Sequence, residues 1–168
     1  MKMLIDTLVV AVLAVTSWYL YVNYFDDVQH ALFGSEPMYT IYVGAKALEV
    51  TVADEDNERI QGLSGVKSLG DFNGKLFIFD TDGQHYIWMK DMYLPLDIIW
   101  VNKNLEIVHI EEQVTPETYP KAFTSEADAR FVLEVNANFV SSVRVAVGDR
   151  LLLPPGILPE DISKNLQQ

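Results

Sequence analysis

Cysteine is absent from all 168 residues. Its absence excludes a disulfide framework, a thiol nucleophile and any Cys-based zinc or iron–sulfur site. Histidine is scarce: His30, His85 and His109 are scattered, with no i,i+4 pair and no His-x-His, so no metal site is expected. Positive charge is also short, with 12 Lys and Arg against 24 Asp and Glu and a net charge of −12. Beyond residue 37 the balance is 11 basic against 20 acidic groups, or −9. A surface with that bias repels phosphate backbones and anionic headgroups, which argues against nucleic-acid binding. There is no Gly-x-Ser-x-Gly elbow, phosphate loop or dinucleotide fingerprint, and no cofactor is implied. Ser64, between Leu63 and Gly65, lacks the strand-to-helix setting of a nucleophile.

What the chain does have is one long uncharged run. Thr7 to Phe25 contains 19 residues without a charge. As a helix it would extend roughly 28 Å, near the ~30 Å hydrocarbon thickness of a bilayer. Trp18, Tyr19, Tyr21, Tyr24 and Phe25 gather at its far end, as aromatics do at a membrane interface. Residues 1–25 therefore read as a single transmembrane anchor. A cleaved signal peptide, with small residues at Val15-Thr16-Ser17, and a buried core helix are the competing readings. Lys2 precedes the span, whereas Asp26, Asp27 and Glu36 follow it. That asymmetry places the N-terminus in the cytoplasm and the C-terminal domain outside the cell membrane.

Residues 26–37 form a juxtamembrane stalk, 38–156 a globular domain and 157–168 a polar tail. A domain of this size buries enough surface to stand without disulfides or metals. Alternation at Tyr39-Ile41-Val43 and Leu48-Val50-Val52 around Gly44-Ala45-Lys46 predicts a β-hairpin. Asp54 is placed to cap a short helix in EDNERIQ, stopped by Gly62. Strands are expected at 75–80, 85–90, 96–101, 105–110 and 131–136, a short helix in ANFVSSVRV, and a last strand in RLLLP. Residues 111–130, with Pro116 and Pro120, read as loop. Many short strands with only one or two brief helices predict a mainly β (β-rich α+β) domain, a compact barrel or closed, bent sheet.

Four blocks carry a family resemblance: VADEDNERIQGLSG, GKLFIFD, YIWMKDMYLPLDIIWV and FVLEVN. Together, in this order, they resemble the domain-of-unknown-function 192 family from about Tyr39 to Leu153. The most specific piece is Trp88-Met89-Lys90 through Leu96-Asp97. The resemblance implies a compact β-rich domain, often exported or lipid-anchored in prokaryotes, and supplies no established activity. Against the family pattern, Ser64-Gly65-Val66 replaces a Met followed by a basic residue, Asp91 stands where Asn is usual, and Asn138 lies where glycine is common.

Candidate site residues come from charges in apolar strands, which must be paired or face water. Arg59, Lys90, Asp91, Asp97 and Glu134 form that set, and Trp88 and Trp100 are candidate aromatic contacts. One reading makes Lys90 an anion-binding group on a pocket floor, with Asp97 or Glu134 as base. The other makes Lys90 and Asp97 a structural ion pair, or Asp97 a carboxylate capping loop amides. The second is favoured, because paired carboxylates alone point only weakly to catalysis. The alternation in FVLEVN puts Glu134 on the face opposite Leu133 and Val135, more readily an exterior than a polar patch. Three functions remain: a membrane-anchored binding or assembly module, an envelope hydrolase using Asp97 and Glu134, or a structural subunit. A protein partner or homo-oligomer suits the first and third, and no reaction is indicated.

Overall fold

The computed structural model describes residues 16–17 and 36–165. The chain divides after Glu36; within the first unit Thr16 and Ser17 are helical, and the anchor assigned to 1–25 otherwise lies outside the described residues. Among the described residues no helix is long and apolar enough to cross a membrane.

The expected hairpin forms first. Strands β1 (Tyr39–Val43) and β2 (Lys46–Ala53) pair antiparallel about Gly44-Ala45. Helix α1 (Asp56–Gln61) then carries the chain over to β3 (Asn73–Gly83), which runs parallel to β2. The cap of α1 lies one residue later than expected. Glu55 is the N-cap, and the Glu58 carboxylate accepts the amides of both Asp54 and Glu55. Asp54 therefore supplies an amide instead of the capping oxygen. Gly62 ends the helix at φ +52, where an added Cβ would come within 3.2 Å of Phe77.

The central strands follow: β4 (Ile87–Trp88), β5 (Leu96–Val101), β6 (Ile107–Val114), β7 (Ala122–Phe123) and β8 (Ala129–Asn136). Helix α2 (Phe139–Val143), strand β9 (Leu151–Leu152) and helix α3 (Glu160–Asn165) complete the described chain. Seven strands make one sheet in the order β6-β5-β8-β3-β2-β1-β9, while β4 and β7 form a separate two-stranded ribbon. The large sheet curls into a half-barrel. Its ends approach each other where Leu151 N–H donates to Leu105 and Ile107 N–H donates to Asp149, both at 2.8 Å. Mainly β architecture with few short helices is thus as expected.

Alternation sorts the side chains onto two faces. Ile41, Leu48, Val50, Leu76, Ile99, Phe131 and Leu133 fill the concave interior. Phe77, Ile98, Trp100 and Val132 form a second cluster on the convex face, with Leu63, Ile87 and Met89 packed over them. Gly74 permits close approach of β3 to β8, since a Cβ there would lie 2.7 Å from the Glu134 carbonyl oxygen.

Three segments differ from the sequence-based expectation. Residues 85–90 contribute only the two-residue β4, because the ribbon with β7 lies across the convex face outside the main sheet. Residues 111–130 are not simply loop: β6 continues to Val114 and β7 follows. The polar tail, expected to be loose, is packed instead. Ile157 and Ile162 are buried in the interior cluster, and Asp161 pairs with Arg130 at 3.1 Å. Leu158 packs against the same cluster, so three apolar side chains seat a segment rich in polar residues.

Candidate functional site

Glu134 sits midway along β8 on the convex face, opposite Lys75 of β3 on one side and Ile98 of β5 on the other. The apolar cover closes over it, leaving the residue 4% exposed. This corrects the expectation of a solvated exterior: the face carrying Val132 and Glu134 has its own apolar cover. Burial pushes the Glu134 carboxyl up to about 8, against a smaller opposing pull from the Lys75 ammonium. At neutral pH the group is therefore mainly an uncharged acid. Its Oε2 has no hydrogen-bond partner among the described residues.

A small pocket of about 40 Å³ opens onto Glu134, walled by Leu63, Phe77, Ile87 and Met92, with Ser64 and Gln61 at its edge. It continues into a surface cleft of about 460 Å³ between α1 and the segment leading into β4. Alternation in this segment buries Ile87 and Met89 and turns Tyr86 and Trp88 outward, 64% and 50% exposed. Ile60 of α1 faces solvent at 70% exposure, and α1 has no buried residue. The mouth is thus open, with Ile60, Tyr86 and Trp88 exposed beside the charged Asp56, Arg59 and Asp80, and one acid group lies within the inner pocket.

Arg59 fixes the α1 wall. Its guanidinium donates to the carbonyls of Asp54 and Ile78, the latter at 2.8 Å, and pairs with Asp56 at 2.7 Å. Asp80 lies 3.7 Å from it. These groups occupy Arg59 as a clamp between α1 and β3, so the carboxylates it meets are Asp56 and Asp80. On the opposite wall His85 stacks on Phe79 with ring centroids 3.6 Å apart, and its Nε2 lies 3.0 Å from the Thr81 carbonyl. Burial holds the His85 imidazole below its ordinary value, partly offset by that hydrogen bond.

The other candidate residues lie apart from this cleft. Asp97 is fully buried at the start of β5, with the parity of the concave face. Its Oδ1 accepts the Gln113 amide and its Oδ2 the Val140 amide, both at 2.9 Å. A bulge in β6 aims the first of these: one residue, Asp97, spans the register that Glu112 and Gln113 occupy on β6. Lys90 is exposed on the outward parity of Tyr86 and Trp88, and its carbonyl accepts the Ser64 hydroxyl at 2.8 Å. The anticipated Lys90–Asp97 ion pair is not present among the described residues. The short connection joins β5 to a ribbon outside the main sheet, and Lys90 is exposed while Asp97 is fully buried. Capping of amides is what Asp97 does. Asp91 is exposed at φ +54, its carbonyl accepting the Gly65 amide at 2.9 Å.

The two tryptophans also separate. Trp88 lines the cleft, whereas Trp100 is wholly buried and its indole N–H donates to the His85 carbonyl at 3.0 Å. Among the described residues no group of three or more His, Asp or Glu is arranged to hold a metal ion. Tyr86, Ile60 and Lys75 were not singled out from the sequence. The Tyr-x-Trp spacing did place Tyr86 beside Trp88, but nothing local marks Ile60 as exposed.

Residues 39–153 match the DUF192 family, described as Uncharacterized ACR, and the chain belongs to it. Among solved structures, a proposed transcription regulator from Sinorhizobium meliloti is similar at 30% identity and TM-score 0.67, covering 71% of this chain and 95% of that one. A protein of unknown function from Novosphingobium aromaticivorans matches at 22% identity and TM-score 0.65, covering 68% and 84%. No curated protein matches the chain.

Proposed function

We propose that the protein is a membrane-anchored, extracytoplasmic binding module whose ligand site is the cleft between α1 and β4. The observation that carries this reading is the exposed trio Ile60, Tyr86 and Trp88 around a pocket floored by buried Glu134. A concave, mainly apolar site with one well-placed polar group is the usual form of a small-ligand site. The uncharged run from Thr7 to Phe25, its aromatic end and the lone Lys2 before it support an anchor with the domain outside. Regulation of transcription, suggested by the Sinorhizobium relative, is opposed by a domain with 20 acidic and 11 basic groups. Hydrolysis by Asp97 with Glu134 is opposed by their placement on opposite faces of the sheet. Assembly keeps one specific support: Tyr42 and Leu152, opposite each other in the β1–β9 pair, are both exposed.

Hydroxyl-radical footprinting tests the reading. The chain is labelled in its own membranes and again after purification. Ile60, Tyr86 and Trp88 are expected to be protected in the first state and labelled in the second. Protection confined to Tyr42 and Leu152 would assign the protein to assembly, and equal labelling everywhere would remove the binding reading.

A further inference from the structure

Four features of the α1–β4 cleft restrict what it can hold. The pocket over Glu134, at about 40 Å³, has room for about three waters, or for a substituent of about four heavy atoms. Its walls Leu63, Phe77, Ile87 and Met92 accept a methyl group, while Glu134 Oε2 there has no hydrogen-bond partner among the described residues. Asp56 and Asp80 at the outer cleft outnumber the one Arg59 guanidinium that pairs with them, which disfavours an anionic ligand. Above the pocket, Tyr86 and Trp88 present ring surface of the kind that packs on the C–H face of a pyranose, combining area with a polar edge.

A neutral group with a methyl and a hydrogen-bonding carbonyl meets all of these conditions. From this we infer that the cleft binds an N-acetylated amino-sugar chain, its acetamido group inserted into the small pocket and hydrogen-bonded by Glu134, with a sugar ring on Trp88 or Tyr86. The inference rests on the proposed binding role and adds the ligand class. An un-ionised carboxyl donates to the acetamido carbonyl, and the burial that keeps Glu134 protonated near neutral pH supplies that donor. Charged and titratable groups facing Glu134 are Lys75 from β3, Arg59 from α1 and Tyr86 from the segment entering β4; β5 contributes the apolar Ile98. Without the acetamido group Glu134 Oε2 would stay buried with no hydrogen-bond partner among the described residues, which is the discriminating element against other sugars.

Calorimetric titration of the detergent-solubilised full chain with tri-N-acetylchitotriose, and with cellotriose as the hydroxyl-bearing counterpart, reads the inference directly. The acetylated trimer should bind at least tenfold tighter than cellotriose. Between pH 7 and 9 its Kd should rise roughly tenfold, as the donor is lost. Glu134→Gln keeps a donor and should bind with that pH dependence removed, while Trp88→Ala should weaken binding at least tenfold without changing the unfolding midpoint. Equal affinity for the two trimers would overturn the acetamido assignment while leaving a sugar cleft. Binding of neither trimer would overturn the sugar class. In both cases the binding role itself stands if footprinting still shows Ile60, Tyr86 and Trp88 protected, and falls with the inference if it does not.

Discussion

The Asp97 carboxylate lies at the start of β5 beneath α2 contacts and the β6 bulge. Each of its oxygens takes one backbone amide, from the β6 bulge and from α2, inside a fully buried site. Asn at this position keeps one acceptor and turns an NH₂ toward the other amide. Asp97→Asn should cost about 2–3 kcal/mol in denaturant unfolding, the scale of a charged hydrogen bond lost in a buried setting. Lys90→Met, at an exposed position, should stay within about 0.5 kcal/mol, and the double variant should be additive. Glu134 makes a different prediction. Its carboxyl lies near 8 in the folded protein against an ordinary 4.5. A raised carboxyl means the folded state holds the proton that the unfolded chain releases. Its contribution is complete below about pH 4.5 and is lost as pH rises to about 8. Melting of the wild type should fall across that window, and Glu134→Gln should flatten the fall. The sequence exposed that these charges were unusual, since each interrupts an apolar strand. It could not show their faces, because a bulge and a covering ribbon decide which parity meets water. Two departures from the family pattern also gain a reason. Asp91 and Asn138 both adopt positive φ, +54 and +71, where short polar residues stand in for glycine or asparagine.

Among the elements, those with strong local signals were legible and those held by distant partners were not. The hairpin at 39–53 and the strand at 96–101 follow from alternation and turn residues. The β4–β7 ribbon has only two residues in each strand, so its pairing of Ile87 with Phe123 owes everything to tertiary packing. Helix α3 is similar: it looks like solvated tail because only Ile162 in it is apolar. That residue is 2% exposed in the interior cluster. Ile162→Ala should lower stability by about 2–4 kcal/mol, measured by chemical denaturation. A change within about 0.5 kcal/mol would mean that α3 frays from the barrel in solution.

At the level of the whole molecule, the two apolar clusters both draw their residues from beyond Pro37. Among the described residues, each face of the sheet therefore has its own core drawn from the second unit. A chain beginning at Met38 should be soluble and unfold in one cooperative transition, seen alike by circular dichroism and tryptophan fluorescence. Aggregation, or two separate transitions, would show that the first 37 residues contribute to folding. The seam of the half-barrel has a temporal consequence. Leu105 and Ile107 are joined by Asp149 and Leu151, and Leu151 also pairs with Val43 near the other end of the chain. The β1–β9 contact that closes the sheet thus spans over a hundred residues and waits for β9 to be made. A growing chain cannot shut this sheet before β9 has emerged, and until then β1 and β6 keep open edges that can pair with other chains.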